Sequence, residues 1–183
     1  MKTKFAIGVL VQWYESSIIE YYIDSLKDAI ERYDGEVIVD VCIIADTTLE
    51  KPTSQEDKEL AIEKIDDICE EAFGYNYIRN EYEKLYTIAD YRREFNDKYC
   101  TEADVLVWGE SDMLVPKQSF VVLDHLHQNV DSPKYLATFS ICKMWDDSWK
   151  SLEHPEFTDK PFIEMDTKNW WSLRYTMSKE EMN

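Results

Sequence analysis

Two carboxylates, Glu110 and Asp112, stand two positions apart in the stretch that runs from Val105 to Pro116. Val105 to Trp108 is a continuous apolar run, the pattern of a strand buried on both faces of a parallel sheet. Gly109 breaks the run, and the two acids follow at the strand's carboxyl end, where open α/β sheets bind their ligands. Carboxylates so placed have the oxygen chemistry to hold a hard divalent cation, Mn²⁺ or Mg²⁺, and such a cation can hold a diphosphate. The plainer reading is an acidic turn after a core strand. Other acids recur at the ends of apolar runs: Glu15 beside Tyr14, Asp46, and the pair Asp146-Asp147. Arg93 and Asn96 precede Val105 on a helical segment, and Arg93 has the charge to bond a phosphate oxygen or, alternatively, Asp90, Glu94 or Asp97 on its own helix. His125, His127 and His154 are the only histidines, and Cys42, Cys69, Cys100 and Cys142 include no Cys-x-x-Cys pair, so zinc-site spacing is absent. The four cysteines read as buried thiols in a reducing compartment.

These residues need a scaffold, and 183 residues with a 44% hydrophobic share are enough for one domain with a full core. Six Trp, twelve Tyr and seven Phe against four Gly and five Pro mark a folded chain. The formal net charge of −18 would repel nucleic-acid phosphates and anionic lipid, and there is no basic cluster to offset it. No window reaches the roughly 18 apolar residues of a membrane span. The apolar stretch after Lys4 stops at Gln12 without a small-residue cleavage site, so it reads as a first strand, and the protein as soluble and cytoplasmic.

The elements follow in order. Phe5–Trp13 is a central strand, and Ser16 or Ser17 is placed to cap a helix that runs to about Tyr33 with Ile19, Tyr22, Ile23, Leu26 and Ile30 on one face. Val37–Ala45 is a second buried strand, which makes the centre of the sheet parallel. Ser54 caps a helix to about Phe73. Tyr75, Tyr77 and Ile78 suit a short strand, and Tyr82–Tyr99 reads as a helix. After the Val105 strand come a helix from about Lys117 to Asn129, a strand over Tyr135–Trp145, a short strand at Phe162–Met165 and a terminal helix from Trp170. The expectation is one domain over 1–183, with a nucleotide- and metal-binding part at 1–130 and an acceptor-side part at 131–183.

This order of strands and acids resembles a glycosyltransferase of the GT-A fold, family 2-like, over about Phe5 to Asn129. The resemblance implies a three-layer, Rossmann-like α/β fold, mostly parallel, with helices on both faces of the sheet. It implies that Tyr14, Glu15 and Asp46 hold the base and ribose of a nucleotide-diphosphate sugar. Glu110-Ser111-Asp112 stands where the family has Asp-x-Asp, the metal motif, with Asp112 as the direct ligand. Arg93 and Asn96 stand near the diphosphate, and Asp146-Asp147 is the candidate general base for a hydroxyl acceptor. His154 is a candidate further metal ligand, and Trp145, Trp149, Trp170 and Trp171 are candidate sugar-stacking aromatics or core fillers. Here the first acid is Glu, and the Arg and Asn are not adjacent. The implied activity is metal-dependent sugar transfer. One alternative is a non-catalytic glycosyltransferase-like binding or structural module. Another is a nucleotidyltransferase, although the first turn lacks the Gly-rich, basic loop that grips a triphosphate.

Overall fold

The computed structural model describes residues 1–44, 54–74, 77–82, 86–111, 113–132, 134–137, 163–165 and 173–175. Asp46, Asp112, Trp145, Asp146, Asp147, Trp149, His154, Trp170 and Trp171 lie outside the described residues, as does most of the strand expected over Tyr135–Trp145.

The chain lays down β1 (Phe5–Gln12), a single 3₁₀ turn (Trp13–Glu15), α1 (Ile19–Glu31), β2 (Val37–Ile44), α2 (Gln55–Phe73), β3 (Tyr77–Tyr82), α3 (Ile88–Tyr99), β4 (Val105–Glu110) and α4 (Ser119–Asn129). The four strands form one parallel sheet in the order β3-β2-β1-β4. β5 (Ile163–Met165) and β6 (Leu173–Tyr175) pair antiparallel in a separate two-stranded sheet. Among the described residues, no helix is long and apolar enough to cross a membrane.

Alternation along the strands divides the core in two. Phe5, Ile7, Val9 and Val11 of β1, with Val39, Val41 and Ile43 of β2, meet α1, α2 and α4 through Tyr22, Ile23, Leu26, Ile65, Cys69, Phe120 and Leu123. The intervening residues Ala6, Cys42 and Ile44 face α3, whose Tyr91, Phe95 and Tyr99 recur every fourth position. Helices therefore cover both faces of the sheet. The approach of α3 depends on Gly8: a Cβ there would lie 2.9 Å from the Phe95 ring.

Several elements differ from expectation. The 3₁₀ turn carries the chain directly off β1, so α1 begins after Ile18 with no side-chain cap from Ser16 or Ser17. β3 takes Tyr77–Tyr82 into the sheet beside β2, and α3 starts only at Thr87, whose hydroxyl accepts from the Asp90 N–H while the Asp90 carboxylate accepts from the Thr87 N–H. β4 passes through Gly109 to Glu110 and is only partly buried; among the described strands it is the outer one of this sheet. Leu173–Tyr175 is a strand where a terminal helix from Trp170 was expected. Cys100 is exposed at the end of α3, past the last residue that packs on the sheet, while Cys42 and Cys69 are buried.

Candidate functional site at the ends of β1 and β4

The path of the chain reverses beside β1, the arrangement at which open α/β sheets form a crevice. From β1 it moves outward through β2 to β3, then returns to the other side of β1 as β4. In an open parallel sheet, ligands bind at the carboxyl ends of the two strands that flank such a reversal. Those ends are Gln12, leading into Trp13-Tyr14-Glu15, and Glu110, leading into Ser111.

Glu15 joins them. Its carboxylate is buried and accepts from the Gln12 N–H at 2.6 Å and from the Ser111 hydroxyl at 2.8 Å. A buried carboxylate persists only when donors replace its lost water, and here the donors come from the ends of two strands, with Ser111 lying 96 positions from Glu15 in sequence. The structure thus gives Glu15 a positioning task at the crevice. Ser111 itself is buried, and the following loop is tied to α1 by the Val115 N–H donating to Ser25 Oγ at 2.9 Å. Trp13 is also buried, edge-on to Tyr14 with ring centroids 5.7 Å apart, which leaves half-buried Tyr14 as the more accessible ring of that turn.

On the α3 side of the sheet, Glu110 forms an ion pair with Arg92. The Arg92 guanidinium also lies over the Trp108 ring, 5.3 Å from its centroid. The Trp108 indole N–H donates to Asn96 Oδ1 at 3.2 Å. Asn96 is therefore held against β4 at Trp108. Arg93 is exposed and pairs with Asp90 on its own helix at 3.4 Å, while its neighbour Arg92 pairs with Glu110. Tyr91, Phe95 and Tyr99 point into the sheet, so residues one position later, Arg92 and Asn96, flank that face toward β4, and Arg93 falls outside it.

A buried polar cluster holds α3 in that rotation. The Asp40 carboxylate, in the middle of β2, accepts from the hydroxyls of Tyr91 at 2.9 Å and Tyr99 at 2.8 Å and from Lys98 Nζ at 3.0 Å. Burial, then the neighbouring Asp40 charge, pushes the Tyr91 phenol far above its ordinary value. Burial likewise pushes Tyr99 up to about 12. Under the opposite face of β4, the Tyr22 hydroxyl is fully buried with no hydrogen-bond partner among the described residues. It abuts Gly109, where a Cβ would lie 2.1 Å from it. Burial, with Glu110 adding to it, pushes this phenol far up as well. The sequence alone assigns no site role to the side chains of Arg92, Trp108, Ser111, Asp40 or Tyr22.

A divalent cation fits this strand end in kind, since Glu110 presents hard carboxylate oxygens. Among the described residues no three of His, Cys, Asp and Glu converge, and Glu110 pairs with Arg92; Asp112, the direct ligand that the resemblance implies, lies outside them. No family model matches the chain, and no curated protein matches it.

Proposed function

We propose that the protein is a metal-dependent glycosyltransferase that moves a sugar from a nucleotide-diphosphate sugar to a hydroxyl acceptor on a GT-A-like scaffold. One observation carries the reading: the reversal of strand order at β1 and β4 sets Tyr14, Glu15, Arg92, Asn96, Trp108 and Glu110 together at the carboxyl ends of a parallel sheet. The turn after β1 contains no glycine, so it is not a phosphate-cradling loop. That favours placing the base and ribose at β1, with Tyr14 at the turn and Asp46 beyond β2, and the diphosphate at β4. There Mn²⁺ or Mg²⁺ on Asp112 and Glu110 would neutralise charge on the leaving diphosphate. Arg92 takes the place beside the diphosphate given by sequence to Arg93, and Asn96 keeps its own. Asp146-Asp147 is the proposed general base.

A second reading, a binding module without turnover, is favoured by the Arg92–Glu110 ion pair, which already neutralises an acid that a metal would otherwise use. Calorimetric titration of the whole protein with UDP, GDP and their common sugars, each with Mn²⁺ and again with EDTA, tests both. The transferase reading expects binding that requires metal, followed by release of nucleoside diphosphate when an acceptor is added. Binding without release supports the module. No binding to a folded sample overturns both.

A further inference from the structure

Trp108 is the feature at the crevice that packing does not explain. It is 43% exposed on the outer strand of the sheet, although a large aromatic gains most from burial. It is nevertheless held in one orientation: Asn96 takes its indole N–H, and Arg92 lies over its ring while bound to Glu110. With Arg92 over it and the residue still half-exposed, the ring is already fixed, and it loses little side-chain freedom when a ligand lands on its remaining surface. Around its rim stand a carboxylate acceptor (Glu110), guanidinium donors (Arg92) and the amide donors of Asn96, whose Oδ1 is spent on the indole.

We infer that Trp108 is the floor of a subsite for a neutral saccharide ring, with Asn96, Arg92 and Glu110 bonding the ring's hydroxyls. A pyranose has an apolar C–H face that covers an indole and a rim of hydroxyls that both donate and accept. A mixed set of donors and acceptors satisfies such hydroxyls from several angles. A phosphate arriving without a cation would meet Glu110 as a like charge, and in a chain of net charge −18 a neutral ligand carries no electrostatic cost of approach. The inference deepens the proposed function by making this ring the acceptor, and rests on that reading for the acceptor role alone; the binding is tested without it.

The test is an NMR titration of the uniformly ¹⁵N-labelled whole protein with maltotriose, cellotriose, chitotriose and mannotriose, then with UMP. The indole N–H resonance that disappears in Trp108→Phe identifies Trp108 in the wild-type spectrum. At least one trisaccharide should move that resonance, with Trp108→Phe binding within about threefold of wild type and Trp108→Ala roughly tenfold or more weaker. Asn96→Ala, which frees the indole without removing it, should weaken binding less than Trp108→Ala. If Trp108→Ala fails to fold, the wild-type titration and Asn96→Ala still decide. A Trp108 resonance that none of the four sugars moves overturns the inference, and one moved by UMP alone makes the ring a base platform and overturns it too. Saccharide binding in a protein that takes no nucleotide diphosphate would keep the subsite and remove the transferase; the converse would remove only the subsite.

Discussion

Two of the described residues at the strand ends show how local sterics and hydrogen bonding shape the crevice. Gly109 is there because of what lies beneath it: the Tyr22 hydroxyl occupies the space a Cβ would need, and Tyr22 is fully buried and has nowhere to retreat. Gly109→Ala should therefore destabilise the fold by about 1–3 kcal/mol, the usual cost of overpacking a filled site. The same hydroxyl lacks a partner among the described residues, and an unbonded buried hydroxyl is itself a cost, so Tyr22→Phe should be neutral or stabilising. The two changes touch, so they will not add. In the Tyr22→Phe background the penalty for Gly109→Ala should fall, and a double-mutant cycle by urea denaturation measures the difference. Equal penalties in both backgrounds would mean that the ring carbon Cζ, which Phe retains 3.2 Å from the added Cβ, or Val9 at 3.4 Å sets the limit instead of the hydroxyl.

At the scale of elements, α3 decides what reaches the end of β4, and Asp40 decides how α3 sits. Removing the carboxylate with Asp40→Ala leaves the buried Tyr99 hydroxyl without its acceptor, whereas Tyr91 keeps the Asp40 carbonyl at 2.9 Å and Lys98 is half-exposed and rehydrates. A loss of about 2–4 kcal/mol is expected. Asp40→Asn, which retains an oxygen acceptor, should lose less. Denaturant unfolding checks the size, and loss of the Trp108 indole resonance position would show that α3 has shifted. Much of this layout was readable from sequence. Periodicity placed β1, α1, β2 and α2 within a few residues, and the Ser54 cap donates its order to α2 as expected, with Ser54 Oγ accepting from the Asp57 N–H. Failures came where a local pattern was ambiguous or a tertiary partner decided. The short strand expected around Tyr77 and Ile78 is present, but parallel pairing with β2 extends it to Tyr82, where the helix was expected to begin, and α3 starts only at Ile88. Arg92 and Arg93 are chemically equal neighbours, and only the 100° between successive helical positions, set by Tyr91, Phe95 and Tyr99, separates them. Asp40 interrupts an apolar strand, and its three donors come from a helix about fifty positions further on, where no local pattern points to them.

For the whole molecule, the dominant fact is an excess of 18 negative charges and a pI near 4.5. Mutual repulsion weakens a compact state, so lowering the pH from 7 toward the pI relieves repulsion and should raise stability. Specific carboxylates work in the other direction. Asp124 on α4 accepts from the Thr3 hydroxyl and the Thr3 N–H, with Lys2 beside it, and is drawn down from its ordinary 3.8 to about 2 by those contacts. Asp90 is likewise held below its ordinary value, chiefly by the Thr87 hydroxyl and then the Thr87 N–H. A carboxylate with a lowered folded-state pKa contributes stability above its unfolded pKa and loses it as pH falls through the folded value. The contribution from Asp124 is therefore complete above about pH 4 and disappears between there and about pH 2. The two effects act in separate windows, so the melting temperature should rise from pH 7 to about 5 and fall below about 4. They also differ in range. Repulsion between dispersed charges is screened once the Debye length shrinks to about 8 Å at 0.15 M salt, whereas hydrogen bonds at Thr3 are in contact and are not. Added NaCl should therefore flatten the limb between pH 7 and 5 and leave the acid limb in place, while Asp124→Asn should soften the acid limb and leave the neutral one. Melting curves across pH 2–7 at low and high salt check this, and an acid limb in Asp124→Asn identical to wild type would assign acid unfolding to other carboxylates, with Asp90 the first to test.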